Sequence, residues 1–71
     1  MSATRIEIEL NGNRREIQEG LSVADLILEL GLRPEIVAVE VNQDLVVRDR
    51  RAATRLVPGD KVELVTMVGG G

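Results

Sequence analysis

The chain lacks the side chains on which most protein chemistry depends. Its 71 residues include no cysteine, no histidine and no Phe, Tyr or Trp. Without cysteine there can be no disulfide and no thiolate metal ligand. Without histidine or cysteine, the usual general base and the usual thiol nucleophile are also missing. We therefore expect that the chain is not an enzyme acting through its own side chains and that it binds no metal or cofactor itself.

Charge and hydropathy exclude two further classes of function. Nine basic and 12 acidic residues give a net charge of −3, which disfavours general binding to nucleic acid. The missing aromatic rings also remove base stacking. No apolar run approaches the roughly 20 residues that span a bilayer, and residues 1–5 do not resemble a signal peptide. We predict a soluble, cytoplasmic protein that contacts neither nucleic acid nor membrane.

The apolar residues are distributed as in a small mixed fold. Residues 6–10 alternate between apolar and acidic side chains, as in a strand with one buried face. Asn11-Gly12 then predicts a tight hairpin turn. The returning strand, residues 14–18, is polar except for Ile17, which predicts an edge position in the sheet.

Residues 22–30 carry the signals of a capped amphipathic helix. Ser22 is a good N-cap, and Asp25, three positions later, completes a variant of the capping box. Gly31 stands where a left-handed residue ends the helix, and Leu32 is placed to fold back onto it. The buried face is predicted to hold Val23, Leu26, Ile27 and Leu30.

The second half of the chain predicts three more strands. Residues 36–41 are almost all apolar, which suits a strand buried on both faces or nearly so. A turn at 42–44, a short strand at 45–47 and a loop at 48–55 with at most one helical turn should follow. In the last strand, residues 61–68, side chains lie alternately on the core face and on the outward face of the sheet. The core set is Val62, Leu64, Thr66 and Val68, and the outward apolar pair is Val65 and Met67.

One helix covers only one face of a sheet, so these elements predict a two-layer α+β domain. The strong patterning of the first and last strands suggests that they pair centrally. We therefore expect a β-grasp, or ubiquitin-like, roll with a mixed sheet of four to five strands packed on one main helix. Residues 1–68 should form the single domain and residues 69–71 a flexible glycine tail.

With its elements placed, the chain resembles the ThiS family of small sulfur carriers of thiamine biosynthesis. The segments that carry the resemblance are 22–26, 37–42, 59–63 and the terminal Val68-Gly69-Gly70-Gly71, in this order and spacing. The chain departs from the family where it has Val47-Arg48 in place of a common Pro-Arg. It departs again at Arg51, near which an aromatic residue is common.

The resemblance implies a carrier mechanism. An E1-like adenylyltransferase would use MgATP to activate the carboxylate of Gly71, and a sulfur donor such as a cysteine desulfurase would then supply sulfur. The resulting thiocarboxylate would deliver sulfur to a thiazole synthase. Gly69 and Gly70 would thread into the partner enzyme, because glycine can enter a channel too narrow for other residues.

Other functions stay open at this stage. The same tail chemistry would serve a small subunit of molybdopterin synthase, or a ubiquitin-like modifier conjugated through Gly71, although Lys61 is the only lysine available for chain formation. A binding domain with an inert tail is a third reading. The partner surface is expected near Val65, Met67 and Val68, and a second one at the arginine cluster of Arg48, Arg50, Arg51 and Arg55.

Overall fold

The computed structural model describes residues 4–67. The predicted boundary between a domain ending at residue 68 and a tail of residues 69–71 therefore lies outside the described residues and stays a prediction. The strands are β1 (Arg5–Leu10), β2 (Asn13–Gln18), β3 (Val37–Val41), β4 (Asp44–Leu45) and β5 (Lys61–Thr66), and the helices are α1 (Val23–Glu29) and α2 (Arg48–Arg51), with a 3-10 turn at Pro34–Ile36.

The five strands form one mixed sheet in the order β2-β1-β5-β3-β4. β1 and β5 run parallel, whereas every other neighbouring pair is antiparallel. The first and last strands therefore pair at the centre of the sheet, and β2 lies at an edge, as the sequence predicts. The sheet with its main helix is the α+β roll expected from the chain.

Both hairpin turns are fastened to the central strand by an asparagine side chain. Asn11 and Asn42 have φ values of 48° and 52°, the left-handed conformation that two-residue hairpin turns require. Asn11 Oδ1 accepts from the backbone N–H of Leu64 at 2.9 Å, and Asn42 Oδ1 accepts from that of Lys61 at 3.0 Å. Each turn thus closes its own hairpin and also ties that hairpin to β5.

Helix α1 begins and ends as its sequence predicts. Asp25 N–H donates to Ser22 Oγ at 3.0 Å, and Ser22 N–H donates to the Asp25 carboxylate at 3.2 Å, which completes the capping box. Gly31 has a φ of 73°, and the N–H of Leu32 returns to the carbonyl of Ile27 at 3.1 Å. The helix is therefore fixed at both ends, which orients its apolar face toward the sheet.

The core lies between α1 and one face of the sheet. Its buried members are Ile6, Ile8, Ile17, Val23, Leu26, Ile27, Val37, Val39, Val46, Leu56, Val62 and Leu64.

Several details of the sequence reading are wrong. Strand β3 is not buried on both faces, since Ala38 is half-buried and Glu40 is exposed. Ile36 belongs to the 3-10 turn and not to the strand. The short strand expected at 45–47 lies at Asp44–Leu45. Thr66, expected on the core face, is exposed. The first error has a simple cause: a single helix covers one face only, so the second face of the sheet stays open.

Candidate functional site

The glycine tail is the principal functional element that the sequence predicts. Gly69, Gly70 and Gly71, together with Val68, lie outside the described residues. The structure does describe the residue that leads to them. The N–H of Met67 donates to the carbonyl of Ile36 at 2.6 Å, so the chain is held beside the 3-10 turn just before the tail begins.

An apolar strip runs across the open face of the sheet next to this point. Val65 is 59% exposed and Met67 is 53% exposed, and both are residues that the sequence places at a partner surface. Val65 pairs with Ala38 across the strands, and Leu45, 64% exposed, pairs with Glu40, two positions along β3 from Ala38 on the same face. We call Ala38, Leu45, Val65 and Met67 the open-face strip. Exposed apolar surface of this kind is typical of a protein-binding site.

Sequence reasoning missed two members of the strip for a physical reason. The sequence predicts that Ala38 lies in a strand buried on both faces. For Leu45 it predicts a short strand but not which face of the sheet the side chain lies on. The signal that identifies them is the pairing register, which a single sequence does not contain. Glu40 gave one clue, because an acidic residue in an apolar strand indicates that one face is exposed.

Two acidic side chains border the open-face strip. Glu40 on β3 pairs directly with Glu63 on β5, next to the pair of Ala38 and Val65. Like charges opposite each other destabilise a sheet. Between residues 4 and 67 no salt bridge involves either of these carboxylates. The border of the strip therefore carries negative charge, which complements a basic partner surface.

A second pair of glutamates lies away from the strip. Glu7 on β1 pairs directly with Glu16 on β2, and between the two pairs Glu9 faces Arg14 and Lys61 on neighbouring strands.

The arginine cluster divides into surface and buried members. Arg48 and Arg50 are exposed, as a docking role requires. Arg51 is only 7% exposed, and its guanidinium donates to the carbonyl of Pro34 at 2.9 Å and to that of Val37. Arg51 is therefore not exposed for docking alongside Arg48 and Arg50, as the sequence predicts it to be.

The cause of this error lies in the one-turn helix α2. It directs Arg51 inward, where the guanidinium satisfies two carbonyl groups at the junction of the 3-10 turn and β3. No local pattern of the sequence encodes this burial, because the two carbonyl groups lie 17 and 14 positions away in the chain.

Within the described part of the chain, residues 4–67, no group of three or more carboxylates is placed to hold a metal ion. Over the same residues no helix is long and apolar enough to cross a membrane. The candidate site therefore consists of the open-face strip, its acidic surroundings and the chain segment that leads from Met67 to Gly71.

A mixed five-stranded sheet wrapped on one main helix, with the last strand at its centre, defines the ubiquitin-like β-grasp class. Comparison with known proteins gives the particular family. The model of the ThiS family matches residues 8–71, and the chain belongs to this family.

Solved structures and curated relatives agree with this assignment. The crystal structure of the thiamine biosynthesis protein ThiS from Geobacter metallireducens superimposes with a TM-score of 0.81 at 32% identity, covering 93% of this chain and 100% of that one. A thiazole synthase from Magnetococcus marinus is 38% identical over 93% of this chain, which spans only 20% of that protein. The Porphyra purpurea protein ycf40 is 36% identical over 93% of both chains.

Proposed function

We propose that this chain is a sulfur carrier of thiamine biosynthesis that carries sulfur as a thiocarboxylate on Gly71 for thiazole formation. In this role it is a carrier and not an enzyme. An E1-like adenylyltransferase activates Gly71 with MgATP, a donor such as a cysteine desulfurase supplies the sulfur, and a thiazole synthase receives it. The observation that carries the proposal is the ThiS family match, which reaches the terminal glycine.

The curated relatives support a thiazole synthase as the protein that receives the sulfur. The chain spans about a fifth of the length of the first two, and both of these, from Magnetococcus marinus and Paramagnetospirillum magneticum, are named thiazole synthase. In those proteins a region like this chain is therefore part of the same polypeptide as the remaining four fifths. Covalent linkage raises the effective concentration of two cooperating modules. The partnership inferred for the separate chain is thus with a thiazole synthase.

The chemistry requires only a terminal carboxylate and an unhindered approach. A carboxylate oxygen of Gly71 attacks the α-phosphorus of ATP, and pyrophosphate leaves. The persulfide of the donor then attacks the acyl carbon through its outer sulfur, and AMP leaves with the former carboxylate oxygen. A second thiol attacks the inner sulfur of the resulting acyl disulfide, so that the two thiols end as a disulfide and the thiocarboxylate on Gly71 is released. Mg²⁺ on the partner enzyme neutralises the phosphates. Glycine at positions 69–71 allows the tail to lie in a narrow channel, because a glycine backbone carries no Cβ and is narrower than that of any other residue.

The open-face strip supplies a docking surface for the activating enzyme in this proposal. It lies beside Met67, the last described residue before the tail. Val65 and Met67 are exposed apolar side chains, so a partner can cover them without removing a charged group from water. The Glu40–Glu63 pair beside the strip selects a basic partner surface and accelerates encounter. Docking there would hold the folded domain in place while the tail enters the active site of the adenylyltransferase.

Intact mass spectrometry tests the proposal directly. The protein is incubated with a cognate adenylyltransferase, MgATP and a sulfur source, and we expect the mass gain of one oxygen replaced by sulfur, mapped to Gly71. The variant that lacks Gly71 serves as the control and should gain nothing. No gain in the full chain, with the same enzyme active on another carrier, would contradict the proposal. Conjugates in a cell lysate would instead indicate a modifier.

A further inference from the structure

A second surface lies on the helix side of the molecule, away from the open face. Helices α1 and α2 enclose a mainly apolar groove of about 170 Å³. We call it the α1–α2 groove. This volume is below the roughly 300–1,000 Å³ of a small-molecule site and suits side chains of another protein better. Its main lining residues are Ala24, Leu28, Pro34, Arg48, Arg51 and Ala52.

The groove presents an apolar side chain that the fold does not use. Leu28 is 65% exposed, although α1 already has a complete buried face in Val23, Leu26 and Ile27. Ala24 and Pro34 extend the apolar wall on either side. The groove therefore offers apolar area that solvent covers in the free chain.

The same groove carries positive charge without a matching carboxylate. Arg51 is buried in its wall, and its Nε atom is buried with no hydrogen-bond partner. Across residues 4–67 no salt bridge involves Arg51 or Arg48. A buried cation that is compensated only by carbonyl oxygens leaves a positive field in its low-dielectric surroundings.

Charge is also unevenly distributed along the chain. Residues 48–55 contain four arginines and one aspartate, a local charge of +3 in a chain whose net charge is −3. Two of these arginines, Arg48 and Arg51, line the α1–α2 groove, and no carboxylate of the described residues 4–67 does so. This complementarity indicates an anionic partner at the groove, whereas the open face favours a basic one.

We propose that the α1–α2 groove is a second docking site, which binds an acidic segment of a partner protein that carries a leucine-like side chain beside a carboxylate. The apolar side chain covers Leu28 and Pro34, and the carboxylate pairs with Arg48 at the rim and faces the buried charge of Arg51. Because this surface and the open face lie on opposite layers, both can be occupied at the same time.

Binding of a defined peptide to the full chain tests this inference. The probe is the synthetic peptide acetyl-Ser-Leu-Asp-Leu-Glu-Ser-amide, titrated into isotope-labelled protein and followed by NMR. We expect saturable shifts centred on Ala24, Leu28 and Arg48. The matched peptide with Asn and Gln in place of its two acids should bind much more weakly, because the charge pairing is lost.

Two variant pairs assign the binding to named side chains. Arg48→Glu should weaken binding by about fivefold to tenfold, since an exposed attraction becomes a repulsion. Arg50→Glu changes the same charge in the same helical turn, but Arg50 does not line the groove, so its affinity should change less than about twofold. Leu28→Ser should weaken binding, whereas Leu45→Ser, equally exposed on the other layer, should not.

Several results would overturn the inference. These are the absence of saturable shifts, equal binding of the amide peptide, or shifts centred on Val65 and Met67. Shifts at the groove that appear with rising protein concentration alone would identify a second copy as the occupant. Shifts there on deletion of residues 69–71 would identify the chain's own tail. Since peptide binding needs no adenylation, this test fails or succeeds independently of the proposed function.

Discussion

At the scale of single residues, Arg51 has the most unexpected role. Its guanidinium joins α2 to the 3-10 turn by donating to the carbonyls of Pro34 and Val37. The same turn accepts the N–H of Met67 through the carbonyl of Ile36. A buried arginine therefore stabilises the 3-10 turn that holds Met67, the last described residue before the predicted tail.

Replacing this arginine should cost stability. Arg51→Met keeps an unbranched apolar stem but leaves two carbonyl groups without their donors, which we expect to lower the free energy of unfolding by about 2 kcal/mol. Urea denaturation followed by circular dichroism measures this in a chain that has no aromatic fluorophore. Arg50→Met, exposed in the same turn, is the control. Equal stability of the two variants would show that the buried hydrogen bonds contribute nothing.

The tail offers a second prediction at this scale. Gly70→Ala adds one methyl group to the predicted tail and should leave the unfolding transition unchanged. In a narrow channel the same methyl displaces the reacting carboxylate, so adenylation should slow by at least about tenfold. Pyrophosphate release measures the rate, and Ser2→Ala provides a terminal substitution that should have no effect. A normal rate for the Gly70 variant would contradict a threaded tail.

At the scale of elements, the sheet holds an arrangement that costs stability. Two pairs of glutamates stand directly opposite each other, one pair beside the open-face strip and one at the β1–β2 hairpin. Local rules of sheet design are broken in this way chiefly at functional surfaces. The two pairs are alike in chemistry and differ in place, which allows stability to be separated from docking.

Reversing the charge of one glutamate in each pair separates the effect on stability from the effect on docking. Glu63→Lys turns a repulsive cross-strand pair into an attractive one and should raise the unfolding free energy by about 0.5 kcal/mol. It should also lower kcat/KM for adenylation by about fivefold, because the acidic surroundings of the strip are lost. Glu16→Lys should give the same gain in stability with unchanged adenylation. Equal kinetics for both variants would place the partner surface elsewhere.

At the scale of the whole molecule, the charges beside the two proposed docking surfaces differ in sign, with the Glu40–Glu63 pair at the open-face strip and arginines near α2. Encounter with a basic activating enzyme should therefore depend on salt. Between about 50 and 500 mM NaCl we expect kcat/KM for adenylation to fall severalfold, since screening shortens the range of the field. The value of kcat at saturating carrier should stay constant. A salt-independent kcat/KM would exclude electrostatic steering by this face.

The architecture followed from local signals, and the errors arose where tertiary contacts decide. The capping box at Ser22 and Asp25, the turn at Asn11 and the edge position of β2 are local or compositional features, and each was predictable. The burial of Arg51 depends on carbonyls 14 and 17 positions away in the chain, which no local pattern encodes.

The candidate site was predictable to a similar extent. Alternation along the last strand identified Val65 and Met67 as outward. Ala38 and Leu45 joined them only through the register of β3 with its neighbours. One feature of the sequence indicates that Leu28 is exposed: it is an apolar residue that lies off the buried stripe of its helix.

The central place of β5 has a consequence for defective products of translation. Strands β1 and β2 form one hairpin and β3 and β4 another, and in the sheet the two are joined only through β5. A prematurely terminated chain that lacks residues 61–66 would hold two separate hairpins, each marginal alone. Such chains would remain unfolded and be cleared by proteases. Fragments without the glycine end would therefore not persist as folded competitors for the activating enzyme that we propose.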